Sequence, residues 1–271
     1  MTRQASGKRA APRAPSRVHR DGRPIDWSQF DTGPLDEARK ARAGASWRVR
    51  MEQEYLAVGA FATLIHELAE EGCEPVVLQI LTRASSDEVR HADICRKVAE
   101  GILDVRIPTR WKGLPSIPKH ANATPSARVL LHVTEMCCLS ETFTGVFLTE
   151  MLSRMPEGSP KSAVESLLED EIDHGRVGWA YLASRAQAKE LDGLAEALPR
   201  MLERTMGGVM KASASRPEAD DAAMEAVGYL GMSASAAIFQ RTLRDVILPG
   251  LEQCGVPAAP LKTWAHDRNW I

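Results

Sequence analysis

SSDEVRHADIC at residues 85–95 and LLEDEIDHGRV at residues 167–177 share one tetrad, Glu88-Val89-Arg90-His91 in the first and Glu171-Ile172-Asp173-His174 in the second. On a helix, residues three apart lie on one face, so each Glu-x-x-His presents a carboxylate and an imidazole to the same point. Two such points facing each other would hold two metal ions. With 22 Glu and 7 His in 271 residues, about half of one such tetrad arises by chance, so the pair carries weight only in company. That company is a further Glu upstream of each copy, on a helix of its own. Glu54 lies 34 residues before Glu88, and Glu141 lies 30 before Glu171. Glu, Glu-x-x-His, Glu, Glu-x-x-His is the inward-facing donor set of a four-helix bundle that binds two metals.

The helices that would carry these residues are legible from their apolar periods. Residues 35–71 read as one helix, with Trp47, Met51, Glu54, Val58, Phe61, Ile65 and Leu68 on a stripe whose only charge is Glu54. Glu52, about 200° round the helix from Glu54, is the reserve ligand. Gly72 suits the position just past this helix and Pro75 the first turn of the next, which runs to about residue 102 with Val77, Leu81, Ala84, Glu88, His91, Cys95 and Val98 inward. Residues 103–123 hold Pro108, Gly113, Pro115 and Pro118 and no helical period, so they form a long crossover in which His120 is solvated. Thr124-Pro125 and Ser159-Pro160 each read as an N-cap followed by proline, starting the third and fourth helices. The third stripe, Leu130, Thr134, Cys137, Glu141, Leu148 and Leu152, contains one carboxylate; Glu135 is about 120° away and is the alternative. An antiparallel hairpin sets its ligands symmetrically about its loop. The midpoint of 54 and 88 is residue 71, and that of 141 and 171 is residue 156, at Pro156. Glu135 would move the second midpoint into a helix.

The predicted fold is thus all-α, a four-helix bundle with a long crossover between helices two and three and two additional C-terminal helices. The expected division is a basic, Pro/Ala-rich extended or disordered segment at 1–40, a bundle at 41–190, a helical extension at 191–250 packed on the bundle, and a tail at 251–271. Within the extension, helices are expected at about 194–212, after Asp192-Gly193, and at about 218–248, ended by Pro249-Gly250. The GYLGMSASAA stretch would let another helix approach closely.

Composition limits the alternatives. Aromatic residues make up 5% of the chain, a bias toward helix over sheet. A formal net charge of −2 gives no electrostatic case for a nucleic-acid partner. No uncharged run is long enough to span a bilayer, so no membrane association is expected. Five cysteines without framework spacing, and no apolar N-terminal signal, point to the reducing cytoplasm. No CxxC occurs, which argues against a zinc ribbon or a rubredoxin-type module.

Bridging carboxylates from Glu88 and Glu171, terminal carboxylates from Glu54 and Glu141, and imidazoles from His91 and His174 would balance two divalent ions and leave coordination positions open. Such a donor set suits iron, with manganese as the alternative in one or both positions, over structural zinc. The arrangement resembles the ferritin-like superfamily of di-iron carboxylate proteins, over roughly residues 42–190. That superfamily includes bacterioferritins, rubrerythrins, ribonucleotide reductase small subunits, acyl desaturases and arylamine N-oxygenases. The resemblance implies a four-helix bundle, two Fe2+/Fe3+ ions, O2 as a co-substrate and an external electron donor. Arylamine N-oxygenases carry an extra His where this chain has Leu167, rubrerythrins have cysteines it lacks, and ferritin subunits are shorter. Thr144, one turn beyond Glu141, resembles the threonine that some oxygenases and desaturases place near oxygen. Gly59, Ala62, Gly145 and Gly178 are small groups that would leave room for a substrate or permit close helix packing. The leading expectation is an oxidase or oxygenase acting on a small or carrier-bound organic substrate, as a monomer or small homo-oligomer. A ferroxidase-like handling of iron or peroxide, and a non-catalytic helical interaction protein, are the alternatives.

Overall fold

Six long or medium stretches of helix-favouring sequence, each bounded by a cap or a breaker, set the architecture of the computed structural model, which describes residues 24–109, 117–186 and 188–271. All regular secondary structure among the described residues is helical, with no strand. Helix α1 (Glu37–Glu70) is capped by the Asp36 carboxylate, which accepts from the Arg39 amide at 2.9 Å. It ends where Gly72 adopts φ +70°, letting the Cys73 and Gly72 amides donate back to the Leu68 and Ala69 carbonyls, both at 3.1 Å. This paired return is the Schellman arrangement, and it reverses the chain in four residues. Helix α2 (Pro75–Leu103) then runs antiparallel against α1.

After the crossover, Thr124 caps α3 (Pro125–Val133) by accepting from the Ala127 amide at 3.2 Å. Helix α3 passes without a break through a π-helical turn, Thr134–Ser140, into α4 (Glu141–Leu152). Helix α5 (Ser159–Ser184) returns along α4 and also packs on α2, closing the bundle. Ser159 does not act as the predicted N-cap: Gly158 holds that position, and the Ser159 hydroxyl donates instead to the Asp26 carbonyl at 2.6 Å. That bond ties the segment before α1 to the α4–α5 loop. Residues 24–36 include a short 3-10 turn, Trp27–Gln29, and a buried Leu35, so the segment expected to be extended over 1–40 is ordered from residue 24 and helical from Glu37. Residues 1–23, with most of its basic charge, lie outside the described residues.

The C-terminal extension departs most from the sequence reading. Helix α6 (Leu191–Ser215) begins before Asp192-Gly193 and carries Pro199 within it. The second expected helix is divided. Helix α7 (Ala222–Glu225) is followed by a turn to Gly228, φ +78°, where a Cβ would stand 2.7 Å from the Trp47 ring, so the chain must turn on a residue without a side chain. Helix α8 (Met232–Thr242) continues through a second π turn, Leu243–Ile247, into α9 (Leu248–Gln253). Pro249 therefore does not end the helix. The wider π turn lies just ahead of it, where its ring would otherwise meet the carbonyl one turn back. Residues 251–271 are not a tail: α10 (Ala259–His266) buries Leu261 and Ala265, and Trp264 meets Trp270 edge to face at 5.1 Å.

Two apolar clusters fill the bundle, one around Phe61, Leu64, Leu81, Phe143 and Leu182, the other around Trp47, Met51, Val98, Leu148 and Leu167. Residues 54, 88, 91, 171 and 174 fall between the two on their helices, and Glu141 lies at the edge of the first, between Leu139 and Phe143. No helix among the described residues is long and apolar enough to cross a membrane, and all five cysteines are free thiols.

Candidate metal centre

Each helix brings its polar residue inward because the rest of that face is apolar. The phase that buries Trp47, Met51 and Phe61 on α1 also buries Glu54, while Glu52 is only half-buried and takes no part in the cluster. On α2 and α5 the stripes carry Glu88, His91, Glu171 and His174 inward, all four 2% exposed or less. Glu141 follows directly on the π turn, which adds a residue's worth of winding between the α3 stripe and the α4 stripe. Glu135, at the start of that turn, instead binds Arg204 through both carboxylate oxygens, at 2.6 and 2.7 Å.

The six residues form two overlapping groups. Glu54, Glu88, His91 and Glu171 each offer a donor atom within 4.8 Å of the others, and so do Glu88, Glu141, Glu171 and His174. Glu88 and Glu171 belong to both groups. His91 Nδ1 lies 3.3 Å from Glu171 Oε1 and 3.6 Å from Glu88 Oε2; His174 Nδ1 lies 3.2 Å from Glu88 Oε1 and 3.3 Å from Glu171 Oε2. The two imidazole centroids are 5.9 Å apart.

Buried charge at this density is strongly unfavourable unless opposite charge is supplied. Burial holds the Glu54 and Glu141 carboxyls well above the usual carboxylate range, and the neighbouring Glu88 and Glu171 charges add to it. Burial also pushes Glu88 and Glu171 up, but contacts with His174 and His91 outweigh it, holding Glu88 low and Glu171 lower still. Burial disfavours charge on the two imidazoles, yet hydrogen-bonding carboxylates raise both: Asp170 first for His91, Asp87 first for His174. Protons thus stand where cations would. The donor atoms also fit metal: Glu88 Oε1 and Oε2, Glu171 Oε2, and both Nδ1 atoms are buried without a hydrogen-bond partner. Orphaned buried donors converging on two points are the expected signature of a cation-binding centre. The buried Glu/His clusters can hold metal, and four carboxylates balance two divalent ions.

A surrounding layer went unread in the sequence. Asp170 Oδ2 stands 3.3 Å from His91 Nε2, and Asp87 Oδ2 stands 3.6 Å from His174 Nε2. Each Asp comes from the residue before the opposite tetrad's Glu, so the doubled motif is Asp-Glu-x-x-His and the signal was present as Asp87 and Asp170. A carboxylate on Nε2 fixes the imidazole tautomer and turns the Nδ1 lone pair toward the cluster. Asp170 is itself held by Arg90 and by Arg83 at 3.0 Å, and Arg90 donates to Ser166 at 2.8 Å.

On the side away from the imidazoles, a cavity of about 630 Å³ reaches Glu54, Glu141 and Glu171. Thr144 lines it, as do Phe143 and Phe147 of α4, Arg204 of α6 and Phe239 of α8. A separate cleft of about 670 Å³ between α2 and α5 touches His174 and Asp87 from outside. Of the small residues expected near the metals, Ala62 is exposed, Gly145 faces open space, and Gly178 is closed against the Cys137 backbone. His120 is half-buried rather than solvated, its ring 5.2 Å from that of His132. Comparison with family models, curated proteins and solved structures finds no match for this chain.

Proposed function

We propose that the chain is a ferritin-like di-metal carboxylate protein that uses iron, with manganese the alternative in either position, to couple O2 to the oxidation of a small or carrier-bound organic substrate. The observation that carries this reading is the cavity on the Glu54, Glu141 and Glu171 side, large enough for an organic molecule and walled by the C-terminal helices. Handling iron alone requires no such chamber. Glu54, Glu88, His91 and Glu171 would hold one ion, and Glu88, Glu141, Glu171 and His174 the other, with Glu88 and Glu171 common to both sets. Two ferrous ions held side by side would each supply an electron to O2.

The protein's own part is to orient and to exclude water. Asp170 accepts from His91 Nε2 and keeps Nδ1 free as a donor. Phe61 packs edge to face on His174 at 5.4 Å and seals that side. The Thr144 hydroxyl, one turn beyond Glu141, reaches the cavity and is positioned to donate a proton to an oxygen-bearing group held there. Electrons for turnover would come from an external donor. Anaerobic loading with ferrous iron followed by air, with and without a reductant, should consume O2 in proportion to added reductant while the protein remains a monomer or small oligomer retaining about two irons per chain. A shell-sized particle on light scattering that retains tens of irons per chain would replace this reading with storage.

A further inference from the structure

The cavity carries one charged group for which no described residue supplies an opposite charge or a hydrogen bond. Among the charges that line it, Glu54, Glu141 and Glu171 belong to the metal centre, and Glu135 and Arg204 neutralise each other. His132 is pinned between Glu67, at 2.6 Å from Nδ1, and the Pro118 carbonyl, at 2.8 Å from Nε2. The remaining group is Arg50. No described residue forms an ion pair or a hydrogen bond with it. Its guanidinium carbon instead lies 5.3 Å from the Phe147 ring centroid and 5.6 Å from that of Trp47. Trp47 is fixed in turn by its indole N–H, which donates to the Val227 carbonyl at 2.8 Å. A half-buried guanidinium held between two ring faces, with its N–H donors uncommitted, is prearranged for an anion.

The surroundings narrow the class of anion. Three of the chain's five Phe line this cavity, with Phe143 edge to face on Phe239 at 5.3 Å and Phe147 stacked near Phe239 at 6.1 Å. Arg50 precedes Glu54 by four residues, which is about 6 Å along the helix axis. An acid anchored at Arg50 with an apolar body about one ring long would therefore set its far end beside Glu54. A single guanidinium matches a monoanionic carboxylate through two parallel N–H donors; no second free cation lines the cavity among the described residues to balance a more highly charged group.

We infer that Arg50 is the substrate anchor, and that the substrate is a small free carboxylic acid with an apolar, ring-sized body. This rests on the di-metal reading for what happens to the acid, but not for how the acid binds. Isothermal titration calorimetry of the full chain with benzoate and with its neutral isostere benzamide reads the anchor directly, on samples whose iron content is measured by elemental analysis. Benzoate should bind wild type about tenfold or more tightly than benzamide. Arg50→Gln should abolish that preference by weakening benzoate alone, Arg50→Lys should retain part of it, and Arg48→Gln, on the exposed face of α1, should leave it intact. Retention by the Lys variant with an unchanged melting temperature separates lost recognition from lost folding. Equal binding of acid and amide to the two-iron protein, or a benzoate affinity indifferent to Arg50→Gln, would overturn the anchor. Acid preference in a protein that takes up no metal after reconstitution would instead overturn the di-metal reading, and with it the acid's role as the molecule oxidised.

Discussion

His91 and His174 are both buried, yet they are held by unequal partners, and only His91 is hydrogen-bonded through Nε2. Asp170 stands within hydrogen-bonding distance of His91 Nε2 at 3.3 Å, whereas Asp87 is 3.6 Å from His174 Nε2. Both aspartates pair with Arg83 and Arg90, but Asp170 holds them more closely, Arg83 at 3.0 Å and Arg90 closer still, against 3.4 and 3.9 Å for Asp87, so it is the better-positioned of the two. Removing its charge should leave His91 free to turn away from the cluster. We therefore expect Asp170→Asn to lower metal affinity about 10- to 100-fold, and Asp87→Asn to lower it less, in a chelator competition with helicity unchanged. Equal and negligible effects of both would show that the aspartates only balance arginines. Repeated spacing singled out Glu88, His91, Glu171 and His174, and helix phase singled out Glu54 and Glu141, since a lone carboxylate on an apolar stripe is conspicuous; the structure brings the six together. Sequence pattern passed over Asp87 and Asp170 because their contacts cross between helices, and a helical period describes only one helix at a time.

The π turn at Thr134–Ser140 joins α3 to α4 without a break, so the two read as one continuous stripe, with Glu141 buried beside Glu171 and His174. Nothing in the side-chain pattern distinguishes a wide turn from an α turn, because both keep the backbone bonded and the apolar face inward. The turn bears on packing through Cys137, whose backbone approaches Gly178 of α5; a Cβ on Gly178 would lie 2.9 Å from the Cys137 carbonyl carbon. Here the glycine is required by its neighbour and not by its own backbone. Gly145 of α4 provides the contrast, for a Cβ there would meet nothing within 4 Å. Gly178→Ala should therefore destabilise by about 1–3 kcal/mol through forced separation of α5 from the π turn. Gly145→Ala should stabilise by about 0.5–1 kcal/mol, as expected for a glycine relieved of its unfolded-state entropy inside a helix. Chemical denaturation of the two variants decides the point, and a destabilised Gly145→Ala would contradict the open space seen beside α4. The C-terminal helices were misplaced in sequence for a related reason: Gly228, Pro249 and Asp192-Gly193 are punctuation whose meaning depends on Trp47, on a π turn and on the bundle face behind them.

Between the two apolar clusters, the centre concentrates four carboxylates and two imidazoles that must be balanced whether or not metal is bound. With the outer carboxyls raised, the inner two held low and both imidazoles raised, the metal-free cluster achieves balance with protons: two on Glu54 and Glu141 and two as imidazolium charge. Two divalent ions would replace about four protons. The sign for stability follows from which state holds more protons. A carboxyl or imidazole whose folded pKa lies above its unfolded value binds more protons in the native state, so its contribution is present below the unfolded pKa and is lost as pH rises toward the folded one. For Glu54 and Glu141 that loss begins above the ordinary carboxylate range, and for His91 and His174 above the ordinary imidazole range. Glu88 and Glu171 act in the opposite sense, but only at more acidic pH. Metal-free protein should accordingly lose melting temperature steadily from about pH 5 to pH 8, while the iron-loaded protein, whose ligands are already deprotonated, should gain or hold stability over the same interval. The gap between the two curves should widen with pH. Parallel thermal melts of chelator-treated and anaerobically ferrous-loaded protein measure it, and curves that stay parallel from pH 5 to pH 8 would mean that the six residues do not share their charge with a metal.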